Sequence, residues 1–128
     1  MTIRIFKTRA FIKSIKKVEL SDGALRDAVD EIQNGLIDAE LGGMVVKKRV
    51  ALPGRGKRGS ARTIVAAKKD DRYFFLWAFE KNQRGNISAR ELQALREYAC
   101  DLISMGEENL QVALRENDLE EIKNERKD

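Results

Sequence analysis

The side chains of this sequence that can carry out chemistry are mostly lysines and arginines. The chain of 128 residues contains no histidine, so the commonest general base and the commonest metal ligand are both missing. Zinc sites and histidine-based catalytic triads are therefore excluded. The single cysteine, Cys100, lies among apolar helix positions, which predicts a small core residue and not a nucleophile.

The cations are concentrated in one stretch of the chain. Residues 44–69 contain nine lysines and arginines and no acidic residue, although the net charge of the whole chain is only +4. Such a block is typical of a surface that binds phosphates, because each neutralised phosphate releases counterions. The plainer interpretation is a solvated basic face that keeps the protein soluble. We favour phosphate binding because the block is dense and uninterrupted.

Strand alternation predicts that several of these cations converge. Lys47 and Arg49 are two residues apart in a predicted strand, so their side chains point the same way. Arg62 begins the next predicted strand, and Lys81 and Arg84 follow the one after that. We expect these side chains to meet on one concave sheet face, where crowding of like charges favours a neutral lysine that can take part in proton transfer.

The chemistry that suits such a cluster is the cleavage of RNA by its own 2′-hydroxyl. That reaction needs a base for the hydroxyl, cations for the charged transition state and an acid for the leaving 5′-oxygen, and lysines and arginines can supply all three. The candidate catalytic residues are Lys47, Arg49, Arg62, Lys81 and Arg84. A second set of cations is predicted to bind RNA: Lys48, Arg55, Lys57, Arg58 and Lys68.

The elements that position these cations follow from the apolar pattern. A short strand at Ile3 and Ile5 is followed by two amphipathic helices, and residues 36–43 are a connection. Three strands are predicted over residues 45–52, 62–69 and 72–80, and a capping box at Ser88 starts the last helix. The order β-α-α-β-β-β-α predicts an α+β domain, with a mainly antiparallel sheet and its helices packed on one face.

The end of the chain differs in character. We expect one domain over residues 1–105 and a helical, charged extension over residues 106–128, which is acidic and can hold the core, bind a partner or occupy the basic face. No apolar run is long enough to span a bilayer and the N-terminus lacks a signal peptide, so we expect a cytoplasmic protein that does not bind membranes. No cofactor or metal is predicted, because the one loop that resembles a calcium site has Arg84 where an oxygen ligand is needed.

Five segments of roughly the first 98 residues resemble the RelE/HigB-like toxins of bacterial type II toxin–antitoxin systems. They are LIDAELGG (36–43), VKKRVA (46–51), PGRGK (53–57), ARTIV (61–65) and FEKNQRGNI (79–87). The resemblance implies a RelE-like toxin fold, cleavage of mRNA in the ribosomal A site and a cognate antitoxin, often of the helix-turn-helix type. Where some members of the family carry a tyrosine this chain has Asn86 and Ile87, so the base is open between Lys47 and ribosomal groups.

The sequence therefore predicts a ribosome-dependent endoribonuclease that acts on mRNA and inhibits translation. In this hypothesis Arg49 and Arg62 stabilise the phosphate, while Lys47 and Lys81 transfer protons. Two alternatives stay open. One is a ParE-like toxin that inhibits DNA gyrase without cutting nucleic acid, and the other is an RNA-binding module with no activity.

Overall fold

The computed structural model describes residues 3–16, 20–52, 60–68, 71–80 and 86–123, and within these it shows six strands and four helices. In chain order they are β1 (Arg4–Thr8), α1 (Arg9–Ser14), α2 (Asp22–Gln33), β2 (Ala39–Gly42), β3 (Val45–Ala51), β4 (Ser60–Lys68), β5 (Arg72–Glu80), α3 (Ala89–Ile103), α4 (Glu107–Arg115) and β6 (Leu119–Ile122). The predicted α+β class is confirmed.

The strands form a single sheet in the order β2-β3-β4-β5-β1-β6. β1 runs parallel to β5, and the other neighbouring strands are antiparallel, which confirms a mainly antiparallel sheet. The predicted element order is present, with additions. Residues 39–42 form β2 within the predicted connection, and α4 and β6 follow the helix that was expected to come last. Both added strands lie at the edges of the sheet.

The helices cover both faces of the sheet, so the prediction that they pack on one face is wrong. Ile5 and Phe75 share a core with residues of α1 and α2, whereas their neighbours Phe6 and Phe74 share a second core with residues of α3 and α4. The reason is the continuous apolar run in β5, because a strand that is apolar on both sides must be covered on both sides. We refer to these as the α1–α2 face and the α3–α4 face.

Serine and threonine side chains fix the starts of three helices. The Thr8 and Ser21 hydroxyls accept main-chain N–H groups at the starts of α1 and α2. At the start of α3, the Ser88 hydroxyl accepts from the Glu91 N–H, and the Glu91 carboxylate accepts from the Ser88 N–H, which confirms the predicted capping box. Further along α3, Cys100 is exposed, so the prediction that it is a core residue is wrong.

Ion pairs tie the C-terminal elements to the first strand. Arg4 in β1 bonds Glu121 of β6 at 2.8 Å and Glu107 of α4 at 3.0 Å, and Glu107 also pairs with Arg72. The sequence predicts a helical extension over residues 106–128, but Leu119–Ile122 instead form a strand paired with β1, because β1 offers an open edge. The predicted boundary at residue 105 falls between α3 and α4, which share the α3–α4 core.

No helix in the part of the chain that the structure describes is long and apolar enough to cross a membrane.

Candidate functional site

Three of the five predicted catalytic cations lie together on β3 and β4. The register of these strands places Arg49 directly opposite Arg62, and Lys47 lies opposite Ile64. Residues directly opposite one another in antiparallel strands have Cβ atoms about 5 Å apart. We call Lys47, Arg49 and Arg62 the cation patch.

The cation patch lies on the α3–α4 face, beyond the part that α3 covers. Val45 and Ile64 share this face and are buried with Ala99 of α3. Further along β3, toward its C-terminal end, the side chain of Arg49 is 55% exposed. The alternation of strand side chains thus presents apolar residues to the helix at one end and cations to solvent at the other. This part of the sheet is an open surface that a large ligand can reach.

The charges of the cation patch are largely unneutralised. Within the described residues, neither Lys47 nor Arg62 forms an ion pair, and the nearest anion is Asp38, whose Oδ2 lies 3.8 Å from Nε of Arg49. Like charges held together without counter-ions create a positive potential that attracts anions. No cluster of acidic or cysteine side chains that could hold a metal ion occurs in the described ranges. The arrangement is suited to phosphate groups.

Lys48 does not belong to the patch, although it was predicted to bind RNA. It points to the α1–α2 face and is 7% exposed. Its Nζ pairs with the Glu31 carboxylate at 2.9 Å and donates to the Leu36 carbonyl at 2.8 Å. The RNA contact predicted for Lys48 is therefore not supported by its position, because its ammonium group is occupied inside the protein. The alternation that groups Lys47 with Arg49 already places Lys48 on the other side.

Lys68 lies far from the patch along β4. It is six residues beyond Arg62 on the same strand, which corresponds to about 20 Å at about 3.3 Å per residue. Its Nζ pairs with Asp71 at 3.3 Å. The structure therefore separates Lys68 from Lys47, Arg49 and Arg62.

The remaining predicted cations lie outside the described residues, namely Lys81, Arg84, Arg55, Lys57 and Arg58. The described strands show where their segments join the sheet. β3 ends at Ala51 and β4 begins at Ser60, while β5 ends at Glu80, which is paired with Ala61 beside Arg62. Both segments are thus attached at the end of the sheet that carries the cation patch.

The sequence reasoning missed two residues, Asp38 beside the patch and Arg96 at the β2–β3 turn. Asp38 lies in the predicted connection, where nothing in the local pattern marks it. Arg96 of α3 donates two hydrogen bonds to the Leu41 carbonyl and packs over Gly42 and Gly43, which have positive φ. A side chain at either glycine would strain the turn, so this close approach of α3 to the β2–β3 turn depends on glycine.

The fold and the patch define a small basic α+β protein with an open surface suited to a polyanion. A family model described as the RelE toxin of the RelE/RelB toxin–antitoxin system matches residues 3–122. The chain therefore belongs to the RelE toxin family, as its sequence resemblance predicted. It is a toxin of a toxin–antitoxin system, and its family implies an antitoxin partner. No curated protein sequence matches the chain.

Proposed function

We propose that this toxin is a ribosome-dependent endoribonuclease that cleaves mRNA and so inhibits translation. The observation that carries the proposal is the register of β3 and β4, which pairs Arg49 with Arg62 and puts Lys47 on the same open face. A substrate on the ribosome and a cognate antitoxin of the helix-turn-helix type are part of this proposal. Such an activity requires the toxin to act in the cytoplasm.

The reaction is an internal transesterification. The 2′-hydroxyl of one nucleotide attacks the adjacent phosphorus, the bond from phosphorus to the 5′-oxygen breaks, and the products are a 2′,3′-cyclic phosphate and a 5′-hydroxyl. Negative charge builds up on the non-bridging oxygens, where the guanidinium groups of Arg49 and Arg62 stabilise it. Proton transfer from the 2′-hydroxyl and to the 5′-oxygen falls to Lys47 and Lys81.

The exposure of the cation patch fits a substrate that is held on the ribosome. The Arg49 side chain of the cation patch is 55% exposed on a sheet face, so its guanidinium group can reach an RNA that is held from outside the protein. In-line attack needs the 2′-oxygen, the phosphorus and the 5′-oxygen to be aligned, and such alignment contributes much of the rate in reactions of this kind. A ribosome that holds the mRNA provides this alignment, while the toxin provides charge and proton transfer.

Primer extension on an mRNA in a purified translation system tests the proposal. We expect cuts by the native chain only when ribosomes are present, and we expect Arg62→Ala to abolish them. Lys68→Ala is the matched control, because it removes a cation from the same strand about 20 Å away. This variant should cut like the native chain.

Four results would contradict the proposal in different ways. Cuts without ribosomes would refute the ribosome requirement, and equal loss in the Lys68 and Arg62 variants would show that only overall charge matters. Growth arrest by a folded protein that makes no cuts would favour inhibition of DNA gyrase. RNA binding with neither cuts nor growth arrest would favour an inactive RNA-binding module.

A further inference from the structure

Asp38 is connected to two members of the cation patch at once. Its main-chain N–H donates to the carbonyl oxygen of Lys47 at 2.9 Å, just before the first residue of β2. Its carboxylate Oδ2 lies 3.8 Å from Nε of Arg49. The main chain of Asp38 is thus fixed against β3, and its charge faces the guanidinium group two residues further along that strand.

The segment that carries Asp38 is itself anchored. The Leu36 N–H donates to the Glu31 carbonyl at the end of α2, and the Leu36 carbonyl accepts from the buried Nζ of Lys48. Lys48 also pairs with the Glu31 carboxylate. Two neighbouring residues of β3 therefore anchor this turn. The ammonium group of Lys48 donates to the Leu36 carbonyl, and the carbonyl of Lys47 accepts from the Asp38 N–H.

This arrangement matters because an exposed arginine has many rotamers. The Arg49 side chain is 55% exposed, whereas that of Asp38 is 29% exposed and belongs to the anchored turn. A carboxylate beside Nε, carried by a main chain that is held against β3, restricts the rotation of the guanidinium group and leaves its two terminal nitrogens, Nη1 and Nη2, available to bind a phosphate. In the described part of the chain, no other carboxylate forms an ion pair with the cation patch.

We propose that Asp38 is a positioning residue for Arg49, and that it orients the guanidinium group toward the scissile phosphate beside Arg62. The proposal rests on the proposed nuclease function. The proposal predicts opposite effects of this carboxylate on cleavage and on RNA binding, because a carboxylate near a phosphate site repels RNA while it orients the arginine. Loss of the charge should lower the cleavage rate and leave RNA binding equal or tighter.

The first experiment measures the order of the arginine side chain without any activity assay. Nuclear magnetic resonance relaxation of the Arg49 Nε–H group should show a rigid side chain in the native protein and a more mobile one in Asp38→Asn. Asp71→Asn is the matched control, because Asp71 also pairs with a partly exposed cation on this sheet, Lys68, at 3.3 Å. Unchanged Arg49 mobility in Asp38→Asn would overturn the proposal even if the toxin is not a nuclease.

The second experiment is single-turnover cleavage on ribosomes. We expect Asp38→Asn to slow cleavage by about tenfold to a hundredfold, the scale of losses from small misplacements of reacting groups. In an Arg49→Ala background the same change should have no further effect, since there is no guanidinium left to orient. Thermal unfolding of each variant checks that the fold is retained.

The outcomes separate this proposal from the proposed function. A native chain that makes no cuts refutes the nuclease function alone, and the relaxation measurement still decides the role of Asp38. Equal losses from Asp38→Asn with and without Arg49 would overturn positioning. A pH–rate profile that loses its acidic limb in Asp38→Asn would also overturn it, because that signature identifies a general base.

Discussion

Replacement of Lys48 by methionine tests whether the buried bonds of this lysine stabilise the fold. Methionine keeps an unbranched apolar side chain in the α1–α2 core and removes the ammonium group that bonds Glu31 and Leu36. Breaking a buried ion pair costs about 3–5 kcal/mol when the remaining charge stays buried. The Glu31 side chain is 53% exposed, so its carboxylate regains water and the cost is smaller.

The expected loss can be estimated from what remains. With Glu31 solvated, the main losses are one charge-assisted hydrogen bond and the donor to the Leu36 carbonyl, which together amount to about 1–3 kcal/mol. Urea unfolding should therefore show a lower midpoint with an unchanged slope. Lys47→Met is the matched control, because Lys47 is the neighbouring lysine on the same strand and forms no ion pair in the described structure. It should leave the free energy of unfolding nearly unchanged and reduce cleavage.

Two results would refute this reasoning. If Lys48→Met is as stable as the native protein, the bonds to Glu31 and Leu36 contribute nothing. If it instead loses salt-dependent RNA binding at full stability, Lys48 reaches RNA as the sequence predicted, and the buried position does not describe the protein in solution.

Three further predictions concern the stability of the fold and the burial of its side chains. Thr8→Val should lower the free energy of unfolding by about 1–2 kcal/mol in thermal melts, since the buried hydroxyl caps α1 and donates to a carbonyl of β5; an unchanged melting temperature would contradict this. Hydrogen bonds from Gln111 and Arg4 lower the pKa of Glu107 from 4.5, so its ionised form stabilises the fold above that pH, and this stability is lost as the pH falls through the pKa of the folded state. Glu107→Gln should therefore weaken the fall of the urea midpoint at acid pH. An unchanged dependence of the midpoint on pH would contradict this prediction. Burial raises the pKa of Tyr98 from 10.0, so an ultraviolet titration should show its phenol ionising at a higher pH than that of an exposed tyrosine. A midpoint at or below pH 10.0 would contradict the buried position of Tyr98.

Much of the fold was predictable because its signals are local. A serine followed three residues later by glutamate starts α3, and the capping bonds form as the pattern indicates. The aromatic run of β5 predicts a buried strand. The two missed strands lack such signals. β2 and β6 have four residues each, which is too short for a clear alternating pattern, and β6 pairs with β1 at the opposite end of the sequence.

The candidate site was also predictable from the sequence only in part. Alternation along one strand is enough to group Lys47 with Arg49 and to turn Lys48 away from them. The pairing of Arg49 with Arg62 depends on the register between β3 and β4, which is set across a long connection. Asp38 was beyond reach, because its importance comes from the way the turn after α2 is held against β3 and from no feature of its own segment.

The carboxylates of the acidic C-terminal elements form ion pairs within the fold. Glu107, Glu120 and Glu121 pair with cations of β1, Glu107 also pairs with Arg72, and Asp118 pairs with Arg9 of α1. β6 is four strands away from β3 in the sheet, or about 19 Å at about 4.8 Å per strand. These four carboxylates therefore neutralise cations on the β1 side of the molecule and form no ion pair with the cation patch. Since this described part of the chain does not shield the patch, we expect an antitoxin that inhibits by covering it to bring its own carboxylates, and the affinity of that complex to fall with added salt.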